Sequence, residues 1–318
     1  MTEKNVSAGV RIVAIDAGSD GQRVDNFLLR ELKGVPKSRV YNLLRRGEVR
    51  VNKGRVKAEY RLQSGDLVRI PPLRMAVADE SPDLAPSRGL QERLTSAVLF
   101  EDDGLLVLDK PAGLAVHGGS GLSYGLIEAL RAMRPEARFL ELVHRLDRDT
   151  SGCIMVAKKR SALVNLHAAL RGDGVDKRYL ALVAGQWPQR HRRVAAPLEK
   201  NTLQSGERMV RVSTSGKEAL TEFQIVERFP GATLVEARPI TGRTHQIRVH
   251  AQYIGHPLAC DDKYGNREAD ARFREQGLRR LFLHAHTLSF DWLGQRLTLK
   301  AELEPELSGF LETLRSSL

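Results

Sequence analysis

The segment HRLDRDTSG places two aspartates, Asp147 and Asp149, two residues apart, with an arginine on each side of the first. Carboxylates at this spacing serve as catalytic pairs, metal ligands, salt-bridged strand ends or turn residues. Asp149 leads into Thr150, Ser151 and Gly152, whose side chains and backbone favour turns, so it reads as a turn or cap residue. Asp147 keeps two readings, a salt-bridged strand-end carboxylate or a nucleophile. Two further segments carry reactive types. Tyr179 enters a strand pattern in KRYLALVAG, and Arg243 and Arg248 flank a Thr-His-Gln core in RPITGRTHQIRVH, which reads as a basic strand.

Several chemistries lack their residues. GxGxxG and Walker A loops are absent, and HGGSG (117–121) has neither spacing, so it reads as a flexible turn. His284 and His286 alternate along LFLHAHTLSF without a cysteine or carboxylate at ligand spacing, which favours a structural or RNA-facing pair over a metal site. The His-x-Glu and Pro-Cys-x-x-Cys pattern of zinc deaminases is missing. Cys153 and Cys260 are the only cysteines, too few for a disulfide framework or a Cys-rich zinc site. No metal and no cofactor are expected.

These segments need a scaffold, and 318 residues suffice for two domains. Hydrophobic content is 42% and charged content 28%, as in a globular chain. No signal-peptide pattern opens the sequence, and no apolar run approaches the roughly 18–20 residues of a membrane span. A cytoplasmic protein without membrane partners is expected, with a monomer favoured.

The net charge of +11 is concentrated, because residues 21–74 hold 14 Lys/Arg against 5 Asp/Glu. Such a module is an electrostatic footprint for a polyanion, most often nucleic acid. Its pattern reads as two helices, GQRVDNFLLREL and KSRVYNLLRRG, with Val24, Phe27, Leu28 and Leu32, then Val40, Leu43 and Leu44, at helical spacing. Short strands follow in EVRVN, GRVKAEYRL and DLVRIP. The expected organisation is an N-terminal extension (1–20), the basic module (21–74), a linker (75–95) rich in Pro and Ser, and a larger domain (96–318). In that domain strands outnumber helices without alternating with them, which predicts an α+β fold with a mixed, mainly antiparallel sheet and flanking helices.

The basic module resembles the S4 RNA-binding domain through RVDNFL, PKSRVYNLLRRGEVRVNKGRV and SGDLVRI. The resemblance implies an RNA-facing surface of Arg23, Lys37, Ser38, Arg39, Arg45, Arg46, Asn52 and Lys53. Helical spacing agrees, since Arg39 lies about two turns before Arg45 and Arg46. Such groups grip phosphates and position RNA rather than read its sequence.

The three reactive segments, in this order behind an S4-like module and together with LVLDKPAGLAVH and LFLHA, resemble the RluA-type pseudouridine synthases over nearly the whole chain. One departure is Asp109, where many members carry Asn before Lys-Pro. The resemblance implies the pseudouridine synthase fold and a cofactor-free reaction. Uracil is detached from C1′ of a uridine, turned, and rejoined through C5, with 23S ribosomal RNA as the implied partner. It assigns Asp147 as the anionic group, a role carboxylates also fill at the anomeric centre in glycoside chemistry. Arg248 is the implied charge partner, and Tyr179 is placed to stack on uracil and mediate proton loss at C5. Arg145, Arg243 and His245 are implied substrate-binding residues. Arg145 also suits the space left when a base is rotated out of its stack. Two other readings stay open: a non-catalytic RNA-binding or ribosome-assembly protein, and an RNA nucleoside glycosylase, which would release free uracil.

Overall fold

Helix-spaced apolar residues and short alternating runs organise the basic module as expected, although one strand fails to form. The computed structural model of the protein describes residues 9–32, 35, 37–72, 86–118, 125–202 and 208–317. They fall into two compact units, Met1–Ala85 and Pro86–Leu318.

The first unit runs β1 (Arg11–Ala14), α1 (Val24–Glu31), α2 (Lys37–Arg46), β2 (Arg50–Val51) and β3 (Leu67–Ile70). Its antiparallel sheet has the order β1-β3-β2. Val24, Phe27, Leu28, Leu32, Val40, Leu43 and Leu44 are all buried in one core with Ile15, Val68 and Ile70. Strand β1 falls within the residues read as an extension: Arg11 pairs with Ile70 across the sheet, and Ile15 is 3% exposed. The strand expected in GRVKAEYRL does not form. Its carbonyls serve the start of α1 instead, Tyr60 O accepting from Val24 N at 2.8 Å and Ala58 O from Asp25 N at 3.3 Å. A helix N-terminus leaves several amides without intrahelical partners, and this loop satisfies two of them.

The second unit begins with α3 (Arg88–Ser96), inside the segment read as a linker; the linker's residues 75–85 lie outside the described residues. Ser87 caps α3 by accepting from Leu90 N, and Leu94 anchors it at 1% exposure. The chain continues through β4 (Val98–Glu101), β5 (Leu105–Lys110), α4 (Leu126–Met133), β6 (Glu141–Leu142), β7 (Ser151–Ala157), α5 (Arg160–Arg171), β8 (Val175–Ala184), β9 (Arg193–Ala195), β10 (Leu198–Thr202) and β11 (Arg208–Val212). It ends with β12 (Leu220–Phe229), β13 (Ala232–Pro239), α6 (Gln246–Tyr253), α7 (Arg267–Glu275), β14 (Leu283–Trp292), β15 (Gln295–Lys300) and α8 (Pro305–Arg315).

Ten strands form the main sheet along β4-β5-β7-β14-β8-β13-β12-β9, with β15 on β14 and β6 on β7. Among the described residues only β14 and β7 pair in parallel, so the expected mixed, mainly antiparallel α+β sheet is observed. Alternation along the strands supplies a core on each face. Leu106, Leu108, Ile154 and Val156 pack with α3 and α4, whereas Leu105, Val107, Cys153 and Met155 pack with α5. Further along, Ala181, Val183, Val235 and Ala237 pack with α6, and Leu182 and Leu234 with α7 and α8. Tyr179 touches both the α4 and the α6 clusters, so it stands where two cores meet. The basic strand read in RPITGRTHQIRVH is a helix from Gln246 onward. Alternating Ile247, Val249 and Ala251 mimic a strand, but Gln246, Arg248 and His250 are buried as well, which a one-sided strand does not do.

Asp109, at the end of β5, is an unfavourable detail. Its Oδ1 is buried without a hydrogen-bond partner among the described residues. Burial, with Glu304 nearby, pushes its carboxyl up to about 6. A carboxyl raised above its unfolded value costs stability above the folded value, and the cost fades as pH falls through 6 toward the ordinary value of 3.8. Asp109→Asn is therefore expected to raise stability at pH 8 by roughly 2 kcal/mol, with the gain gone near pH 4. Urea unfolding of both proteins across this range reads it; equal stability at pH 8 would contradict the assignment.

Candidate active site

A loop that carries its own carboxylate into a pocket must be pinned from behind, and the loop before β7 is pinned at four points. Thr150 N donates to Asp147 O at 3.2 Å, closing the turn. Met155 N donates to His144 Nε2 at 3.2 Å, and burial keeps that ring neutral, down at about 3. Lys110 Nζ donates to Arg148 O at 3.1 Å and to the carbonyls of Pro111 and Leu114. Arg280 Nη2 donates to Ser151 Oγ at 2.7 Å, while Arg280 is itself paired with Glu304 at 2.6 Å. Gly152 follows at φ +107°, where a Cβ would lie 2.3 Å from the Ala285 carbonyl, so only glycine lets the loop end seat against β14.

The pocket so formed has a volume of about 250 Å³, smaller than typical drug-sized sites of roughly 300–1,000 Å³. Asp147, Arg145, Tyr179, Arg243, His245 and Arg248 all line it, as do Lys177 and Thr150. The structure thus brings together residues 101 positions apart: Arg248 Nη1 donates to Asp147 Oδ2 at 3.2 Å. Arg248 is held in place by Asp261, to which its Nε and Nη2 donate at 2.7 Å each. A fork of this kind fixes a guanidinium in plane. Burial opposes the Arg248 charge, but Asp261 and Asp147 together hold it above its ordinary value. The Tyr264 ring lies 5.0 Å from the guanidinium carbon and adds a cation–π contact.

His245 takes a left-handed backbone conformation, φ 54°, at the start of α6, which points Nε2 toward Asp147 Oδ1 at 3.7 Å. Burial lowers its pKa, favouring the neutral ring, although Asp147 opposes this. Tyr264 fixes where the remaining proton sits. The Tyr264 hydroxyl accepts from Val210 N at 2.9 Å, and its own proton has one acceptor within reach among the described residues, His245 Nδ1 at 2.8 Å. Nδ1 therefore accepts, and the ring proton is on Nε2, facing the carboxylate.

Asp149 stays outside the pocket lining, and its carboxylate pairs with Arg148 at 3.0 Å. The turn expected of Asp149 is closed by the Asp147 carbonyl instead. His284 is fully buried, bonded to Ser151 Oγ at 2.9 Å and Ala301 O at 2.9 Å, so it braces the loop. Among the described residues no His/Cys/Asp/Glu group could hold a metal ion. HGGSG falls largely outside the described residues (119–124). Asp261, Tyr264, Lys177 and His144 were not singled out from sequence. Lys177 had a usable signal, two residues before Tyr179 on the same strand face. Asp261 and Tyr264 had none.

In the first unit, Arg39, Arg45, Arg46 and Lys53 are exposed, while the side chains of Lys37 and Ser38 lie outside the described residues. Arg23 pairs with Asp25 at 2.6 Å. Asn52 is exposed, and its amide has partners within the protein: it donates to Asp66 Oδ1 at 2.7 Å and accepts from Leu67 N at 2.9 Å. It builds the left-handed turn that presents Lys53, Asn52 and Lys53 having φ 49° and 67°.

Comparison with known proteins adds independent findings. Residues 104–253 match the RNA pseudouridylate synthase family model, and residues 22–68 match the S4 domain model. The chain is 56% identical over 317 residues to the ribosomal large subunit pseudouridine synthase C of Haemophilus influenzae, covering 99% of this chain and 98% of that one. It is 57% identical over 318 residues to the protein of that name from Escherichia coli, covering 99% of each. Among solved structures, human RNA pseudouridylate synthase domain containing 4 superposes with a TM-score of 0.60 at 28% identity, over 71% of this chain and 96% of that one. No described helix is long and apolar enough to cross a membrane.

Proposed function

The chain belongs to the RNA pseudouridylate synthases, which isomerise uridine in RNA to pseudouridine, and on that premise we propose that its substrate is 23S ribosomal RNA and its nucleophile Asp147. The observation that carries the assignment is the Arg248–Asp147 contact at 3.2 Å inside a pocket that Tyr179 also lines. The substrate reading is supported by relatives whose printed name specifies the large ribosomal subunit.

The reaction exchanges one bond for another: N1–C1′ breaks, C5–C1′ forms, the proton on C5 leaves and N1 ends protonated. Among the described lining residues Asp147 is the only carboxylate, so the anionic role falls to it. Arg248 and the Nε2–H of His245 face that carboxylate and hold it aimed while a bound base excludes water. Burial, with Asp147 next, pushes the Tyr179 phenol well above its usual value. Tyr179 therefore rests neutral, stacks on the base, and relays the C5 proton, taking the carbon-bound proton as its own passes to solvent, while N1 takes up a proton from solvent. Arg243 and exposed Arg145 line the pocket, where they meet the RNA backbone, and Arg145 fills the space of the rotated base.

In this reading the protein works as a cytoplasmic monomer. Both cysteines are free and buried. Pseudouridine mapping of 23S rRNA tests the substrate, using cells lacking the gene and cells complemented with wild type, Asp147→Asn or Arg145→Ala. Specific sites should vanish without the gene, return with wild type, return weakly with Arg145→Ala, and stay absent with Asp147→Asn. Unchanged sites in every strain would refute it.

A further inference from the structure

Beside the catalytic pocket lies a second one of about 400 Å³, and the two share the turn residues Gly242, Arg243 and Thr244. Its other lining residues come from β10, β11 and the turn that follows, including Lys200, Lys217 and Ser215. We propose that this basic pocket is a second RNA subsite, which takes a backbone phosphate of a nucleotide flanking the target uridine. The inference rests on the RNA-isomerase reading above and adds a place where the strand is held.

The pocket is a built feature. Leu198 N donates to Lys217 O at 2.8 Å and Lys217 N donates to Leu198 O at 2.9 Å, clamping the Ser213–Lys217 turn onto β10. At Gly216 a Cβ would lie 2.6 Å from the Leu198 backbone, so the wall closes only around glycine. On β10, Leu198 is buried against Val210, Val249 and Tyr264. Two residues later on the same strand face, opposite Val210, Lys200 is exposed. Lys217 is exposed too, and among the described residues neither lysine forms an ion pair. Arg243 donates Nε to Glu218 O at 3.0 Å, which leaves its terminal nitrogens for a ligand. Glu199, the one acidic residue among the described lining residues, is paired with Arg211 at 3.4 Å.

The subsite also has a fixed register to the chemistry. Val210 N, on β11, donates to the Tyr264 hydroxyl, whose other partner is His245 of the catalytic pocket. A strand with one uracil in the first pocket carries a phosphate at every neighbouring linkage, and cations one turn away suit the nearest of them. Such a contact positions the strand without reading its sequence.

The test uses the full chain and a short single-stranded RNA containing the target uridine, with the dissociation constant as readout. Lys200→Ala/Lys217→Ala should weaken binding about tenfold and make its salt dependence shallower by roughly 1. Lys200→Arg/Lys217→Arg should restore it. One uncharged methylphosphonate linkage beside the target uridine should weaken binding to wild type and cost the alanine variant nothing further. Wild-type affinity in the variant, or the same penalty in both proteins from each neutral linkage, would overturn the subsite. Affinity is read whether or not the RNA is isomerised, so an error about the reaction surfaces in the mapping experiment instead.

Discussion

Asp147→Asn is expected to lower the rate of pseudouridine formation by at least about 10³-fold while leaving RNA affinity within a few-fold of wild type. The substitution keeps the shape of the side chain and removes only the charge that must engage the sugar or the base. The fold should survive it, because Arg248 keeps its paired contact with Asp261, which is fully buried. Single-turnover assays and thermal melts on one preparation check both halves. An Asp147→Asn protein that still isomerises uridine at a comparable rate would move the chemistry elsewhere in the pocket.

The second large effect belongs to a residue that touches no substrate in this account. Asp261 accepts both Arg248 donors and also the amides of Lys263 and Tyr264, each at 3.0 Å. Removing one partner of a buried pair leaves the other uncompensated, at a cost of about 3–5 kcal/mol. Asp261→Ala should therefore lower the melting temperature by roughly 10 °C, taking about 2–4 °C per kcal/mol for a unit of this size. It should also cut kcat more than tenfold, since Arg248 loses the fork that aims it at Asp147. Asp261→Asn keeps an acceptor and should lose less of both. An alanine variant with wild-type melting and kcat would show that Arg248 is positioned by something else.

Much of the architecture was legible because it follows from local periodicity and composition. The helix faces of Val24, Phe27 and Leu28 and of Val40, Leu43 and Leu44 became the core of the first unit, and the excess of strands over helices gave the mainly antiparallel sheet. Local patterns misled where tertiary contacts decide. Residues 247–251 alternate like a strand, yet they form a helix buried on several sides. GRVKAEYRL has strand-forming residues, yet its carbonyls serve the free amides of α1. At the site, the motifs placed Asp147, Tyr179 and Arg248 on the page, but sequence spacing could not supply their partners. Asp261 sits in CDDKYG beside another acid, and only the fold shows that it, not Asp262, receives Arg248. Tyr264 reads as one more aromatic core residue until its hydroxyl is found between Val210 and His245. The opening pair divides the same way: Asp147 faces the pocket, and Asp149 pairs outward with Arg148.

The central claim is that this pocket exchanges the N1–C1′ bond of uridine for C5–C1′ through Asp147. Ribosomal RNA carrying tritium at C5 of uridine tests it directly, because that hydrogen leaves only if C5 forms the new bond. Purified wild-type protein should release tritium to water in step with pseudouridine formed and liberate no free uracil, while Asp147→Asn releases none above background. Free uracil without pseudouridine, or tritium release by Asp147→Asn at the wild-type rate, would contradict the account.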